Sequence, residues 1–219
     1  MGGLEGFSLM GLRMNDLLDF RSIDDRLKDE QPPSAVKSVR VARLELIRVA
    51  REENLRRIFP AKIEPGHSYH FLTAGDIDAL SFLSVLLERY DRFPRFYCST
   101  WTMSHADCRL IESYLEAGKL GELNVLTGEY FASRETSVYA TLVGVVSKFN
   151  GRLKKFMNHC KVICLADPAR ALFITCEGSA NFTTNPRTEQ TTLTASKELF
   201  EFYASWFERL YAGEAEDSL

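Results

Sequence analysis

The stretch HCKVICLADPARALFITCEGSANFTTNPRTEQ, His159 to Gln190, decides how this chain is read. Its opening, His159-Cys160-Lys161-Val162-Ile163-Cys164-Leu165, has the apolar and β-branched content of a strand. Side chains alternate across a strand, so His159 and Lys161 share one face, and Cys160 is expected on the other as a structural thiol. Asp167-Pro168 marks a turn, and Leu172 to Cys176 reads as the next strand. Gly178-Ser179-Ala180-Asn181-Phe182-Thr183 and Arg187-Thr188-Glu189-Gln190 follow. An imidazole, an ammonium, a hydroxyl and an amide drawn together supply a nucleophile or acid and several donors aimed at a dispersed negative charge. A phosphate is the natural occupant, and Gly178 lets the backbone pass close to it without a Cβ in the way.

Outward from this stretch, strand and helix alternate from Ser68 onward. Tyr69 to Thr73 is a predicted strand ending at Ala74-Gly75. Asp76 then caps a helix with Ile77, Leu80, Leu83 and Leu87 on one stripe. Phe93 to Thr100 is a second strand, and Ser104-x-x-Asp107 opens a helix as a capping box that Gly118 closes. Leu123 to Leu126 is the third strand, and Val138, Leu142, Val145 and Phe149 mark a helix ended by Asn150-Gly151. Arg152 to Phe156, His159 to Leu165 and Leu172 to Cys176 are then three consecutive strands. A last helix begins near Ser196, with Leu199, Tyr203, Trp206 and Leu210 facing inward. Helix-separated strands favour parallel pairing and closely spaced ones antiparallel pairing, so the expectation is a layered α/β domain with a mixed sheet.

The domain organisation follows from charge. Residues 1 to 34 carry seven acids against four bases and end in Pro32-Pro33-Ser34, which reads as a flexible or loosely docked arm. Residues 36 to 62 reverse the sign with eight bases against three acids, and a basic helix is expected over about 35 to 58, before Pro60. The predicted organisation is therefore an arm and basic helix over 1–65, the α/β domain over 66–212 and an acidic tail over 213–219.

Composition excludes several classes. With 45% hydrophobic and 26% charged residues in a chain of 219, the protein is globular rather than disordered. No apolar run reaches the roughly 18 residues of a membrane span, and the first residues lack the basic-then-apolar order of a signal peptide, so a cytoplasmic protein with no membrane partner is expected. Five cysteines with no Cys-x-x-Cys pair read as reduced core thiols. A net charge of −3 gives no global attraction for polyanions. The local exception is residues 148 to 161, which hold Lys148, Arg152, Lys154, Lys155 and Lys161 and no acid. His67 and His70, near Asp76 and Asp78, have metal-like spacing, but a strand entering a helix commonly carries such polar residues.

The pattern of His159-x-Lys161 with Gly178-Ser179-x-Asn181 and a downstream Glu189 resembles the phospholipase D superfamily. The continuation Gly-Ser-Ala-Asn-Phe-Thr, with an Asn and a Glu beyond it, looks most like the nuclease branch. The resemblance covers about Ser68 to Leu210. One position departs: the family's Asp stands seven residues after the His, where this chain has Ala166, with Asp167 one place later. A bulge or a longer hairpin absorbs such a shift.

The resemblance implies a phospholipase D-like half-unit, a mixed sheet flanked by helices on both faces, here with an N-terminal helical extension. It implies a metal-independent phosphodiesterase that forms a phosphohistidine, with one imidazole as nucleophile and a second protonating the leaving oxygen. Single-motif members take the second imidazole from an identical partner, so a twofold homodimer with a shared site is expected. In that reading His159 is nucleophile in one subunit and general acid in the other, and Lys161, Ser179 and Asn181 bind the non-bridging oxygens. Glu189 holds the far ring nitrogen of His159, and neither metal nor other cofactor is implied. Arg152 and Lys154 are the expected substrate contacts from the basic stretch. Ser99 and Thr100 join them because, with Trp101, they end a strand where open α/β sheets bind ligands and are expected to line the cleft. The expected partner is nucleic acid, DNA favoured over RNA. The alternative is a catalytically inactive phospholipase D-like protein that binds nucleic acid or serves in assembly. A phospholipid hydrolase or transferase is disfavoured by the lack of an export signal or amphipathic surface helix.

Overall fold

The computed structural model describes residues 51–184 and 187–213. The acidic arm of residues 1–34, most of the expected basic helix and the tail of residues 214–219 lie outside them. Residues 51–58 are helical. After them come β1 (Ser68–Thr73), α1 (Ala79–Tyr90), β2 (Phe93–Thr100), α2 (His105–Glu116), β3 (Leu120–Gly128), α3 (Glu129–Arg134) and α4 (Thr136–Lys148). The chain continues through β4 (Arg152–Phe156), β5 (Val162–Asp167), a 3-10 turn (Pro168–Arg170), β6 (Leu172–Gly178), β7 (Glu189–Thr194) and α5 (Lys197–Tyr211).

The seven strands form one mixed sheet in the order β1-β7-β6-β5-β2-β3-β4. Strands β2, β3 and β4 run parallel because α2 and then α3 and α4 carry the chain back between them. The β5–β6, β6–β7, β1–β7 and β2–β5 pairs are antiparallel. One expected pairing is corrected here. Strand β4 does not pair with its successor but forms the edge beside β3, and residues 157–161 then carry the chain to β5. The six Cα–Cα steps from Phe156 to Val162 reach at most about 20 Å at roughly 3.3 Å each, enough to cover three strand spacings of about 4.8 Å. That connection therefore runs across the carboxyl ends of β3 and β2. The strand β7 is an addition to the sequence reading, which saw only motif residues there.

Alternation along the strands splits the core in two. On one face Phe96, Cys98, Val125, Ile163, Leu165, Ile174 and Leu193 meet the apolar stripes of α1, α2 and α4, such as Leu83, Ile111 and Leu142. Leu55, Phe59 and Ile63 belong to the same cluster. On the other face Tyr97, Leu126, Phe156, Val162, Cys164 and Ala166 meet Phe200, Ala204, Phe207 and Leu210 of α5. The sheet thus carries helices on both faces. On α5 Leu210 is buried as expected, but the rest of the inward stripe lies about one residue from the expected one: Leu199, Tyr203 and Trp206 are only partly buried, and Phe200, Ala204 and Phe207 take the core positions. Both stripes have helical spacing and both are apolar, so periodicity alone does not choose between them.

Capping decides two helix starts. Ser104 and Asp107 form the expected capping box of α2, with the Ser104 amide 2.7 Å from the Asp107 carboxylate. Helix α1 is capped by Asp78 rather than Asp76: its Oδ1 accepts from the Ser81 amide at 2.8 Å and the Ser81 hydroxyl at 2.9 Å. No helix among the described residues is long and apolar enough to cross a membrane.

Candidate active site

The crossing connection 157–161 carries His159 and Lys161. Strand β5 starts at Val162, so His159, Cys160 and Lys161 precede it and strand alternation does not apply to them. This corrects the placing of Cys160, which is exposed, while Cys98, Cys108, Cys164 and Cys176 are buried. His159 and Lys161 meet by direct contact instead. The Lys161 Nζ lies 2.9 Å from His159 Nδ1 and 3.2 Å from Nε2, and donates to the His159 carbonyl at 2.8 Å. An ammonium has only protons to give, so the ring nitrogen it meets presents a lone pair.

A buried clamp holds this pair, and its key residue has no signature in the sequence. Asn158 is 7% exposed. Its Oδ1 accepts from the Cys160 amide at 2.9 Å, and its Nδ2 donates to Ser99 Oγ at 2.8 Å. Ser99 Oγ in turn donates to the Cys160 carbonyl at 3.0 Å. Both polar groups of the residue between His159 and Lys161 are thereby fixed to the end of β2. Ser99 and Thr100 are fully buried, and Thr100 Oγ1 donates to the Thr102 carbonyl at 2.9 Å. Ser99 thus supports the loop from below.

The second half of the site descends from β6 and β7. The Gly178 amide donates to the Lys161 carbonyl at 3.2 Å, which joins the Gly-Ser-x-Asn segment to the His-x-Lys loop. A Cβ on Gly178 would lie 2.5 Å from the Gln190 carbonyl oxygen. The glycine is therefore required by the tight approach of β7, a reason different from the anion passage expected. Ser179 is bound on both sides: its amide donates to the Gln190 carbonyl at 3.0 Å, and its Oγ accepts from the Gln190 amide at 3.1 Å. That hydroxyl donates to the carboxylate of Glu189, which is 8% exposed. The Glu189 carboxylate thus turns to Ser179, and Lys161 occupies the edge of the His159 ring. Asn181 is pinned by its own carbonyl, which accepts from the Ala79 amide at 3.2 Å at the start of α1. Its Oδ1 is buried with no hydrogen-bond partner among the described residues, as is Thr73 Oγ1, opposite Glu189 in the β1–β7 register. An orphaned buried polar atom costs about 1–3 kcal/mol.

Electrostatics separate the site from the basic stretch. Burial pulls the Lys161 ammonium below its ordinary pKa, with Cys160 and Glu189 acting in the opposite sense. An anion placed there relieves that desolvation. Arg152 and Lys154 lie on the edge strand β4, with β3 and β2 between them and β5. Arg152 is bound to Glu208 at 2.5 Å and Asn124 at 2.7 Å, and stacks 4.5 Å over the Tyr211 ring. Lys154 Nζ donates to the Leu210 carbonyl at 2.5 Å, and Lys148 is paired with Glu112 and Glu116. These three cations serve the packing of α5 and α2 and do not converge with His159.

Asp167 closes β5 at its other end, 2% exposed, caps the 3-10 turn through Ala169 and pairs with Arg170 at 2.6 Å. Burial opposes its ionisation, but the Arg170 hydrogen bond and charge outweigh it and hold the carboxyl below its ordinary value. His67 and His70 are exposed, and His70 Nδ1 is 3.1 Å from Thr192 Oγ1. Among the described residues no group of three or more His, Cys, Asp or Glu side chains gathers to hold a metal ion.

No protein-family model matches this chain, and no curated protein sequence matches it. Solved structures similar in chain path include the following three. One is Nuc, a phospholipase D family member from Salmonella typhimurium, with a TM-score of 0.48 and 14% identity over 67% of this chain and 95% of that one. Another is the polyphosphate kinase of Porphyromonas gingivalis, with a TM-score of 0.50 and 12% identity over 68% of this chain and 26% of that one. The third is TrmBL2, an archaeal chromatin protein whose structure shows a novel mode of DNA binding, with a TM-score of 0.46 and 8% identity over 89% of this chain and 66% of that one. At such identities the likeness is one of fold.

Proposed function

We propose that this chain is a metal-independent phosphodiesterase, a nuclease that works through a phosphohistidine on His159 at a site shared by two copies. The observation that supports it most is the convergence of the His159–Lys161 pair with Ser179, Glu189 and Asn181 at one end of β5, β6 and β7. Imidazole, ammonium and amide without an obligatory metal are the parts of phosphoryl transfer by nitrogen attack.

In this mechanism the phosphate first draws Lys161 away from the ring and so frees the imidazole lone pair. Lys161 and the Asn181 amide hold the non-bridging oxygens, while Glu189 fixes Ser179. The His159 nitrogen forms a bond to phosphorus as the P–O bond to the leaving group breaks, and the partner subunit's His159 gives that oxygen its proton. The same imidazole then takes a proton from water, whose oxygen displaces the His159 nitrogen. Net charge and atoms balance, and only water is consumed.

The test is cleavage of single- and double-stranded DNA and RNA in excess EDTA by the wild type and by His159→Ala. Cleavage by the wild type, with a loss of at least about 10³-fold in the variant, is the expected result. No cleavage by a folded wild type supports the second reading, a binding or assembly protein without turnover. The observation favouring that reading is the Asp167 carboxylate, which is committed to Arg170 at the far end of β5.

A further inference from the structure

Trp101 is a partly exposed indole whose ring neighbours that of His159. It follows the last residue of β2, and its ring centroid lies 5.8 Å from that of His159 at an interplanar angle of 50°. A gap in the neighbouring strand sets its position. A Cβ on Gly128, the last residue of β3, would fall 2.7 Å from Trp101 Cδ1 and 3.1 Å from the Asn158 carbonyl oxygen. The indole thus slots over a missing side chain and against the loop that carries His159. A large aromatic held in place yet left partly open at a phosphate site offers a flat π surface to whatever adjoins that phosphate.

The charge distribution bears on which nucleic acid that is. Duplex binding draws mainly on lysines and arginines that neutralise phosphates. This chain carries a net −3, and Lys148, Arg152 and Lys154 are spent on partners within the fold. A duplex also hides its base faces, whereas a single strand exposes them, and stacking on an aromatic ring is tolerant of sequence. We infer that Trp101 is a base-stacking surface that makes this site select single-stranded nucleic acid, with the base next to the scissile phosphate lying on the indole. The inference rests on the nuclease reading above and names its substrate class.

The test measures binding of a labelled single-stranded oligonucleotide, the same oligonucleotide with one abasic position moved along it, the matching duplex, and inorganic phosphate as competitor. The proteins are His159→Asn, which keeps a planar group against the indole and prevents turnover, and the same protein with Trp101→Ala or Trp101→Phe. The expected result is that Trp101→Ala weakens the single strand about tenfold, leaves phosphate competition unchanged, and is largely rescued by Trp101→Phe. An abasic position placed at the site should reproduce the loss in the Trp101 protein and add nothing in Trp101→Ala. Equal weakening of single strand, duplex and phosphate by Trp101→Ala would show that Trp101 only props up the His159 loop and would overturn the inference. Unchanged single-strand binding in Trp101→Ala would also overturn it while leaving the nuclease reading intact. Phosphate binding with no oligonucleotide bound by any of the proteins would remove both.

Discussion

Asn158 ties together three hydrogen bonds around one backbone unit, and that unit lies between the two residues the mechanism needs. Replacing it with alanine leaves the Cys160 amide without its acceptor and takes from Ser99 Oγ the donor it accepts from, at about 1–3 kcal/mol for the buried groups. In Asn158→Ala the expected outcome is a fall of about ten- to a hundredfold in kcat at nearly constant KM, because the nucleophile is misplaced while the phosphate donors remain. Steady-state kinetics beside a thermal melt separate this from simple unfolding. Asp167 tests the opposite case, a motif-like residue with a structural role. Its carboxyl sits below its ordinary pKa in the folded protein, so its contribution is present above the unfolded value and is lost as the pH falls through the folded one. Asp167→Asn should therefore melt about 3–8 °C lower at pH 7, with the gap closing below about pH 4, and should keep its activity.

At the scale of elements, the hairpin from β6 to β7 is held by an approach too close for any side chain at its turn. Gly178→Ala places a methyl 2.5 Å from the Gln190 carbonyl, so β7 has to shift and take Ser179 and Glu189 with it. The expected outcome is a loss of about 1–3 kcal/mol in denaturant unfolding, accompanied by lost turnover. Elements also show what was readable in advance. The capping box at Ser104 and the apolar runs of β2, β3, β5 and β6 are local, so the chain announces them. The edge position of β4 depends on which distant strand offers a free ladder, and no local pattern carries that. His159, Lys161, Ser179, Asn181 and Glu189 stood out because their types and spacing carry chemistry. Asn158 did not, since a lone amide gains meaning only from the loop crossing that places it, whereas Trp101 was marked by its position at the end of β2 and not by its neighbours.

For the whole molecule, the decisive quantity is the number of imidazoles at one phosphate. A single protomer brings one His159 to the site, and the mechanism uses two. Sedimentation of the full chain is expected to show a dimer. Mixing His159→Ala with wild type in excess of the variant should quench activity beyond simple dilution, because heterodimers lack either the nucleophile or the acid. A strictly monomeric protein with full activity would contradict the shared site.

The crossing of residues 157–161 has one more consequence. Those five residues are at once the covalent bridge between the parallel strands and the antiparallel ones and the carrier of the reactive pair. Their geometry is thus set by two anchorages, Phe156 on β4 and Val162 on β5, and by the Asn158 hydrogen bonds between them. Lengthening it by even one residue would spare every strand and helix yet leave the nucleophile without an address, so the family of tolerated sequences should vary freely in the identity of Met157 and hardly at all in the length of the span.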